Sequence, residues 1–198
     1  MDCFAATSAR GERSFLAYRQ PSADQLLGPA DFQPAHVSRG RLLCLGSATL
    51  VQSAARAATD RAVEIARAGK LLLFCDVNYR PHQFSDPREA LGLVRRLLGS
   101  CDIVKLAQAE LLPLFGTESI EAAAQKARAL GPAVVVVTLG PQGCYLDCAA
   151  GTSYLSGEAL RRPAICPIGA GDAFSAGLLR TILAALGART TGDDRARL

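Results

Sequence analysis

Leu71-Leu72-Leu73-Phe74-Cys75 is a short apolar run that gives way at once to Asp76-Val77-Asn78-Tyr79-Arg80. A run this brief, apolar at odd and even positions alike, predicts a strand buried on two faces, as in a parallel sheet. Similar runs recur at 42–45, 102–106 and 133–138, the last containing Val134-Val135-Val136-Val137. Between successive runs lie stretches with a helical period, at 53–68, 86–98 and 118–130. Strand, helix, strand, repeated in this way, predicts parallel strands joined by right-handed crossovers. The expected architecture is α/β, a three-layer α/β/α sandwich with a mainly parallel sheet over residues 41–188. Local punctuation agrees. Asp86-Pro87-Arg88-Glu89 offers an N-cap, a proline at the first helical position and a glutamate to complete a capping box. Gly69 and Gly131 stand where a left-handed residue would end a helix.

The flanks read differently. In residues 1–40, Arg13 to Tyr18 predicts a short strand after an Arg10-Gly11-Glu12 turn, and Pro21, Pro29 and Pro34 then punctuate a loop-rich stretch. Residues 189–198 form a polar tail. The chain has 198 residues, 49% hydrophobic and 20% charged, enough to bury a core without metals or cross-links. The net charge of +4 comes from basic residues dispersed among acids, and tryptophan is absent, which argues against a nucleic-acid platform. Seven cysteines, an odd number with no C-x-x-C pair, point to a reducing, cytoplasmic compartment. Cys44, Cys75 and Cys101 fall in or beside apolar runs and are expected to act as small core hydrophobes. The opening Met1-Asp2-Cys3-Phe4 lacks the features of a signal peptide, and Arg180 interrupts the most hydrophobic helix, so no membrane association is expected.

In open α/β sheets, ligands bind beyond the carboxyl ends of the strands. The segments directly after the predicted strands are Asp76 to Arg80, Lys105 to Glu110, and Thr138-Leu139-Gly140-Pro141-Gln142-Gly143. Polar, charged and glycine-rich groups are thus expected at one rim. A fourth segment, Cys166-Pro167-Ile168-Gly169-Ala170-Gly171-Asp172-Ala173-Phe174, opens a helix made apolar by Phe174, Leu178, Ile182 and Leu186. Gly169 and Gly171 allow a tight turn that leaves amide N–H groups free at a helix N-terminus, where phosphate oxygens bind well. Asp172 is either a plain cap or a general base beside that anion hole. Each segment also has an ordinary reading. Asp76-Val77-Asn78 fits an Asx-turn before Pro81, Thr138 to Gly143 fits a turn between strands, and Glu110 fits a solvated surface acid.

Taken together, these segments resemble the PfkB, or ribokinase-like, carbohydrate kinases, in particular the fructokinase and 2-keto-3-deoxygluconate kinase branch. The resemblance runs from about residue 10 to 186. Gly169-Ala170-Gly171-Asp172-Ala173-Phe174 is similar to the family's C-terminal signature. By that likeness Asp172 is the catalytic base, and Gly169, Ala170 and Gly171 form the anion hole. Asp76-Val77-Asn78-Tyr79-Arg80-Pro81 resembles the branch's D-x-N-x-R-P segment. It implies Asn78 near the nucleotide phosphates and Arg80 near the sugar. Val136 to Gly143 resembles the nucleotide-binding strand and turn, with Thr138, Gly140 and Gly143 on the ATP side. Tyr18-Arg19 is similar to the sugar-contacting end of a lid strand, so residues 1–40 would be the remnant of a β lid.

The departures are specific. Cys166-Pro167-Ile168 replaces the family's Asp-Thr-Thr, which loses a carboxylate tied to a monovalent-cation site. Ala107 stands where Asn or Ser is expected three residues before Glu110, which thins the water-mediated magnesium network; Glu110 itself is retained as an indirect magnesium contact. The first strands with their Gly-rich sugar signature, and the helices that complete the adenine pocket, have no counterpart in this chain. The resemblance implies transfer of the ATP γ-phosphoryl group to a sugar hydroxyl, with magnesium. The alternative is a truncated or degenerate relative that keeps the fold for an interaction or regulatory role, without catalysis. An uncovered sheet edge would favour association, and a homodimer is the candidate assembly.

Overall fold

The computed structural model describes residues 2–7, 13–18, 23–158, 168–187 and 198, with backbone only for the first two segments. Arg19, Cys166, Pro167 and most of the polar tail lie outside the described residues. The strands are β1 (Asp2–Thr7), β2 (Arg13–Tyr18), β3 (Leu42–Leu45), β4 (Leu72–Asp76), β5 (Ile103–Ala107), β6 (Val134–Thr138), β7 (Gly143–Cys148) and β8 (Gly151–Ser156). The helices are α1 (Pro34–Val37), α2 (Ser53–Ala68), α3 (Pro87–Gly99), α4 (Leu111–Phe115), α5 (Ile120–Arg128) and α6 (Ala170–Ala185).

β1 and β2 form an antiparallel ribbon in which Asp2 faces Tyr18. β3 to β8 form one sheet in sequence order. Its first three pairings are parallel and its last two antiparallel. The expected parallel core is therefore present. β7 and β8 extend it as antiparallel strands that the apolar runs did not reveal, because Gly143 to Ser156 carries too many polar residues to read as a buried strand.

Alternating side chains of the central strands supply two apolar layers. Leu73, Cys75, Val104, Leu106, Val135 and Val137 join buried residues of α3, α4 and α5 on one face. Ala123, Ala124 and Ala127 let α5 approach closely. Phe74, Ile103, Val134, Val136 and Cys144 form the other layer, covered by Phe174, Leu178, Leu179 and Ile182 of α6. Four consecutive valines stay dry only because both faces are covered. Two further contacts set the sheet's geometry. Buried Asp102 accepts from Arg67 at 3.0 and 3.1 Å and from the Leu73 amide at 2.8 Å, at the sheet end remote from the rim loops. Arg41, just before β3, donates to the Leu183 carbonyl at 3.3 Å and to that of Gly187, closing the last turn of α6 with a favourable positive charge.

Three local expectations are corrected. Asp86 does cap α3, accepting from the Arg88 amide at 2.8 Å. Glu89 forms no capping box, since Arg56 takes its carboxylate at 2.6 Å. Gly69 is right-handed (φ −80°), and the left-handed residue is Lys70 (φ 56°). Gly69 is wanted for space instead, because a Cβ there would stand 2.9 Å from Leu71 Cδ1. Gly131 does take a positive φ of 136°. Cys44 is exposed while Cys75 and Cys101 are buried. Its register neighbour Phe74 lies under α6, but β3 is an outer strand that this one helix leaves uncovered.

Candidate functional site at the carboxyl rim of the sheet

The parallel strands end on one rim, and their loops meet the start of α6 around a cavity of about 600 Å³. That volume suits a small molecule, for which pockets of roughly 300–1,000 Å³ are usual. Asp76, Asn78 and Arg80 enter from the end of β4, Lys105 and Glu110 from β5 and its loop, Thr138 and Gly140 from β6, and Gly169, Gly171 and Asp172 from α6. The four polar segments of the sequence therefore converge.

Their convergence follows from how α6 is held. Its apolar stripe rests on the sheet, Arg41 fixes its last turn, and Ser175 Oγ donates to Asp76 Oδ2 at 2.8 Å near its start. Asp76 also accepts from Lys105 Nζ, which lies 3.0 Å from each of its oxygens. Its carboxylate therefore bridges β5 and α6 instead of closing an Asx-turn. Gly169 takes a left-handed φ of 81°, a conformation that favours glycine, and directs the chain into the helix. Asp172 is exposed and lines the cavity. Ala170 opens the helix between the two glycines without lining the cavity.

The β4 loop is held by an unusual backbone. Asn78 is left-handed (φ 44°), a state asparagine tolerates better than most residues. Ser47 steadies it, donating its amide to Val77 O at 3.1 Å and its hydroxyl to Asn78 O at 3.3 Å. Arg80 is exposed at the mouth, donating to Tyr79 O at 3.2 Å.

Glu110 overturns its ordinary reading as a solvated surface acid. It is 4% exposed, and its two oxygens accept from the Ala107 amide at 2.7 Å and from the Tyr79 amide. It thus ties the β5 loop to the β4 loop. Burial pushes its carboxyl above the usual range, against the pull of the two amides and Lys105. Thr138 donates to Leu106 O at 3.2 Å, and Gly140 is left-handed (φ 61°) in the next turn.

Gly143 does not line the cavity. Gly143 has a φ of 105°, and a Cβ on it would come within 1.9 Å of Leu155 O. It therefore closes the β6–β7 turn against β8. Tyr18 is placed only by its backbone pairing with Asp2, and Arg19 lies outside the described residues. Sequence reasoning placed Lys105 and Asp76 at the rim without a role in the site, and it passed over Ser175. One signal was available: a lysine inside the apolar strand Ile103–Ala107 demands a buried partner.

The lining offers two cations, Arg80 and Lys105, against three carboxylates, Asp76, Glu110 and Asp172. A polyphosphate enters such a cavity more favourably with a divalent cation. No three His, Cys, Asp or Glu gather as a metal cage among the described residues. The lone pairs left on Glu110 can still accept from metal-bound water, which fits an indirect magnesium contact. No helix among the described residues is long and apolar enough to cross a membrane.

Comparison with known proteins agrees with this geometry. Residues 2–193 match the pfkB family carbohydrate kinases. Fructokinase-1 of Oryza sativa subsp. japonica is 34% identical over 181 residues, covering 91% of this chain and 55% of the relative. The PfkB protein from Polaromonas sp. JS666 superposes with a TM-score of 0.81 at 26% identity, covering 98% of this chain and 64% of that structure. The fructokinase with bound ATP from Xylella fastidiosa gives a TM-score of 0.78 at 25% identity, over 91% of this chain and 56% of that one. This chain spans a little over half the length of the curated relatives it matches. With a match that runs nearly its whole length, the chain belongs to the pfkB family of carbohydrate kinases.

Proposed function

We propose that this chain carries the phosphotransfer site of a sugar kinase that moves the γ-phosphoryl group of ATP to a hydroxyl of a fructose-like or 2-keto-3-deoxygluconate-like substrate. The observation that supports it is the meeting of Asp172 and the Gly169–Gly171 turn with Asn78, Arg80 and Thr138 around one cavity. Asp172 accepts the proton of the sugar hydroxyl as that oxygen bonds to the γ-phosphorus. The bond from the γ-phosphorus to the bridging oxygen breaks, and ADP leaves with the electron pair. The free amides at the start of α6 steady the charge on the phosphoryl oxygens. Asn78, Thr138 and the left-handed turn at Gly140 face the nucleotide, and Arg80 orients the sugar. Gly143 serves the nucleotide side by shaping that turn, and Tyr18 and Arg19 belong to the sugar side. Magnesium, when bound, would neutralise phosphate charge, and Glu110 would reach it through water. Cys44, Cys75, Cys101, Cys144 and Cys148 are free, which suits a cytoplasmic setting.

The test is ADP release by the full chain with ATP, magnesium and either sugar, compared with Asp172→Asn. Removing the base is expected to lower kcat roughly 100- to 10,000-fold. Equal turnover by the variant refutes the role of Asp172. Absence of sugar-dependent ADP release from the unsubstituted chain favours the interaction-module alternative.

A further inference from the structure

Three hydroxyl groups lie behind the rim without lining the cavity. Ser47 is 2% exposed and Thr59 4%, and Thr49 is half-buried. Thr59 Oγ1, on α2, donates to Thr49 Oγ1 at 2.8 Å, and Thr49 Oγ1 donates to Gly46 O at 3.3 Å, in the turn that follows β3. Gly46 lets this turn close on β4, since a Cβ there would stand 3.2 Å from Asp76 O. Ser47 then reaches the segment beyond β4. Its amide donates to Val77 O at 3.1 Å and its hydroxyl to Asn78 O at 3.3 Å. From the next peptide group, the Tyr79 amide donates to Glu110. The peptide planes on both sides of the Asn78 Cα are therefore pinned, which fixes φ and ψ together. The conformation so fixed is left-handed, with φ 44°, a state that a non-glycine residue keeps only where its surroundings over-determine it. Asn78 lines the cavity, and its side-chain amide makes no hydrogen bond to protein among the described residues.

We infer that Ser47, Thr49 and Thr59 are positioning residues, a hydroxyl chain anchored on α2 that holds Asn78 left-handed and so presents its amide to the cavity before any ligand arrives. This rests on the nucleotide-facing role proposed for Asn78. Buried hydroxyls are costly unless they are bonded, so packing alone would favour alanine or valine at these positions. Here the hydroxyls satisfy one another and the chain ends on a loop whose backbone departs from the ordinary regions. None of the three touches a ligand; they act through Asn78, by sparing the ligand the cost of ordering that loop.

The test measures binding of a non-hydrolysable ATP analogue with magnesium by calorimetry, on the full chain and on Ser47→Ala, Asn78→Gly and the two combined. Ser47→Ala removes one hydrogen bond to the strained loop and is expected to weaken binding roughly 3- to 10-fold. Asn78→Gly removes the ligand-facing amide, and glycine takes the left-handed state without steric cost. In that background Ser47→Ala should cost less than about twofold, because nothing remains for the hydroxyl to position. Equal factors in the two backgrounds would show that Ser47 supports only the fold, and unchanged binding by Ser47→Ala would show that Asn78 needs no holding. Either result overturns the inference and leaves the phosphotransfer reading standing. Thr49→Val keeps the shape and breaks the chain one step further from the site. A loss of roughly 2- to 5-fold, again only with Asn78 present, supports the link to α2, and unchanged binding overturns that link. Where Ser47→Ala fails to fold, Ser47→Cys, a weak donor of similar size, is compared in the same two backgrounds and read in the same way. An unsubstituted chain that binds no nucleotide overturns the phosphotransfer reading itself, and this inference falls with it.

Discussion

Gly171→Ala separates the demands of the fold from those of the site. Gly171 lies in the first turn of α6 with a helical backbone that alanine adopts without strain. Restricting the unfolded chain should stabilise the protein by about 0.4–1 kcal/mol. The new methyl carbon would stand 3.2 Å from Lys105 Nζ, the only atom within 4 Å among the described residues outside its own helix backbone. The ammonium must yield by a few tenths of an ångström, while Asp76 holds it at 3.0 Å on both oxygens. That shift costs only a fraction of the ion pair, so net stability should hold or rise. For a domain of this size the thermal midpoint should then move up by about 0–4 °C. Function should move the other way. On the proposed mechanism, a displaced cation and a methyl group beside the amides at the start of α6 would disturb the place where the phosphoryl group sits. Misplacement by about 1 Å can cost 100-fold, so a loss of at least roughly tenfold in kcat/KM is expected. Thermal melting and sugar-dependent ADP release on the same sample measure both effects. A variant that melts as expected and turns over like the parent refutes the geometry assigned to this turn.

Other tests rest on the same contacts. Glu110 holds its proton to higher pH than an ordinary glutamate, because burial penalises its charged form. Between the ordinary value of 4.5 and the raised one, the folded chain binds more protons at this group than the unfolded chain, so stability falls as pH rises through that window. Glu110→Gln should flatten this decline in urea midpoints taken from pH 4 to 8, and parallel curves would remove burial as the governing effect. Asp102→Ala should destabilise by about 3 kcal/mol, because it strands the Leu73 amide and breaks a pair whose arginine is still partly solvated. Since Asp102 lies at the sheet end remote from the cavity, KM for ATP should be unchanged in the folded variant; a shift in KM would show that the remote end of the sheet governs the site.

The core strands were legible because their signal is local. Val134-Val135-Val136-Val137 is stable only with both faces covered, whatever the rest of the chain does. Helix positions were legible from periodicity, and their ends less so. At Asp86 a local cap formed as read, whereas Glu89 was drawn to Arg56, a residue on another helix. The glycine turn before Asp172 was readable because free amides at a helix start arise from a few neighbouring residues.

By itself, then, the order of residues determined the parallel α/β core, the rim on which polar segments would gather, and the carboxylate at the start of α6. Tertiary structure alone decided which of those groups became partners. Asp76 meets Lys105 across 29 residues and Ser175 across 99, and Glu110 is buried because two loops close over it. Pairing and desolvation depend on what is near in space, and a chain written in one dimension carries spacing along itself but not across the folded sheet.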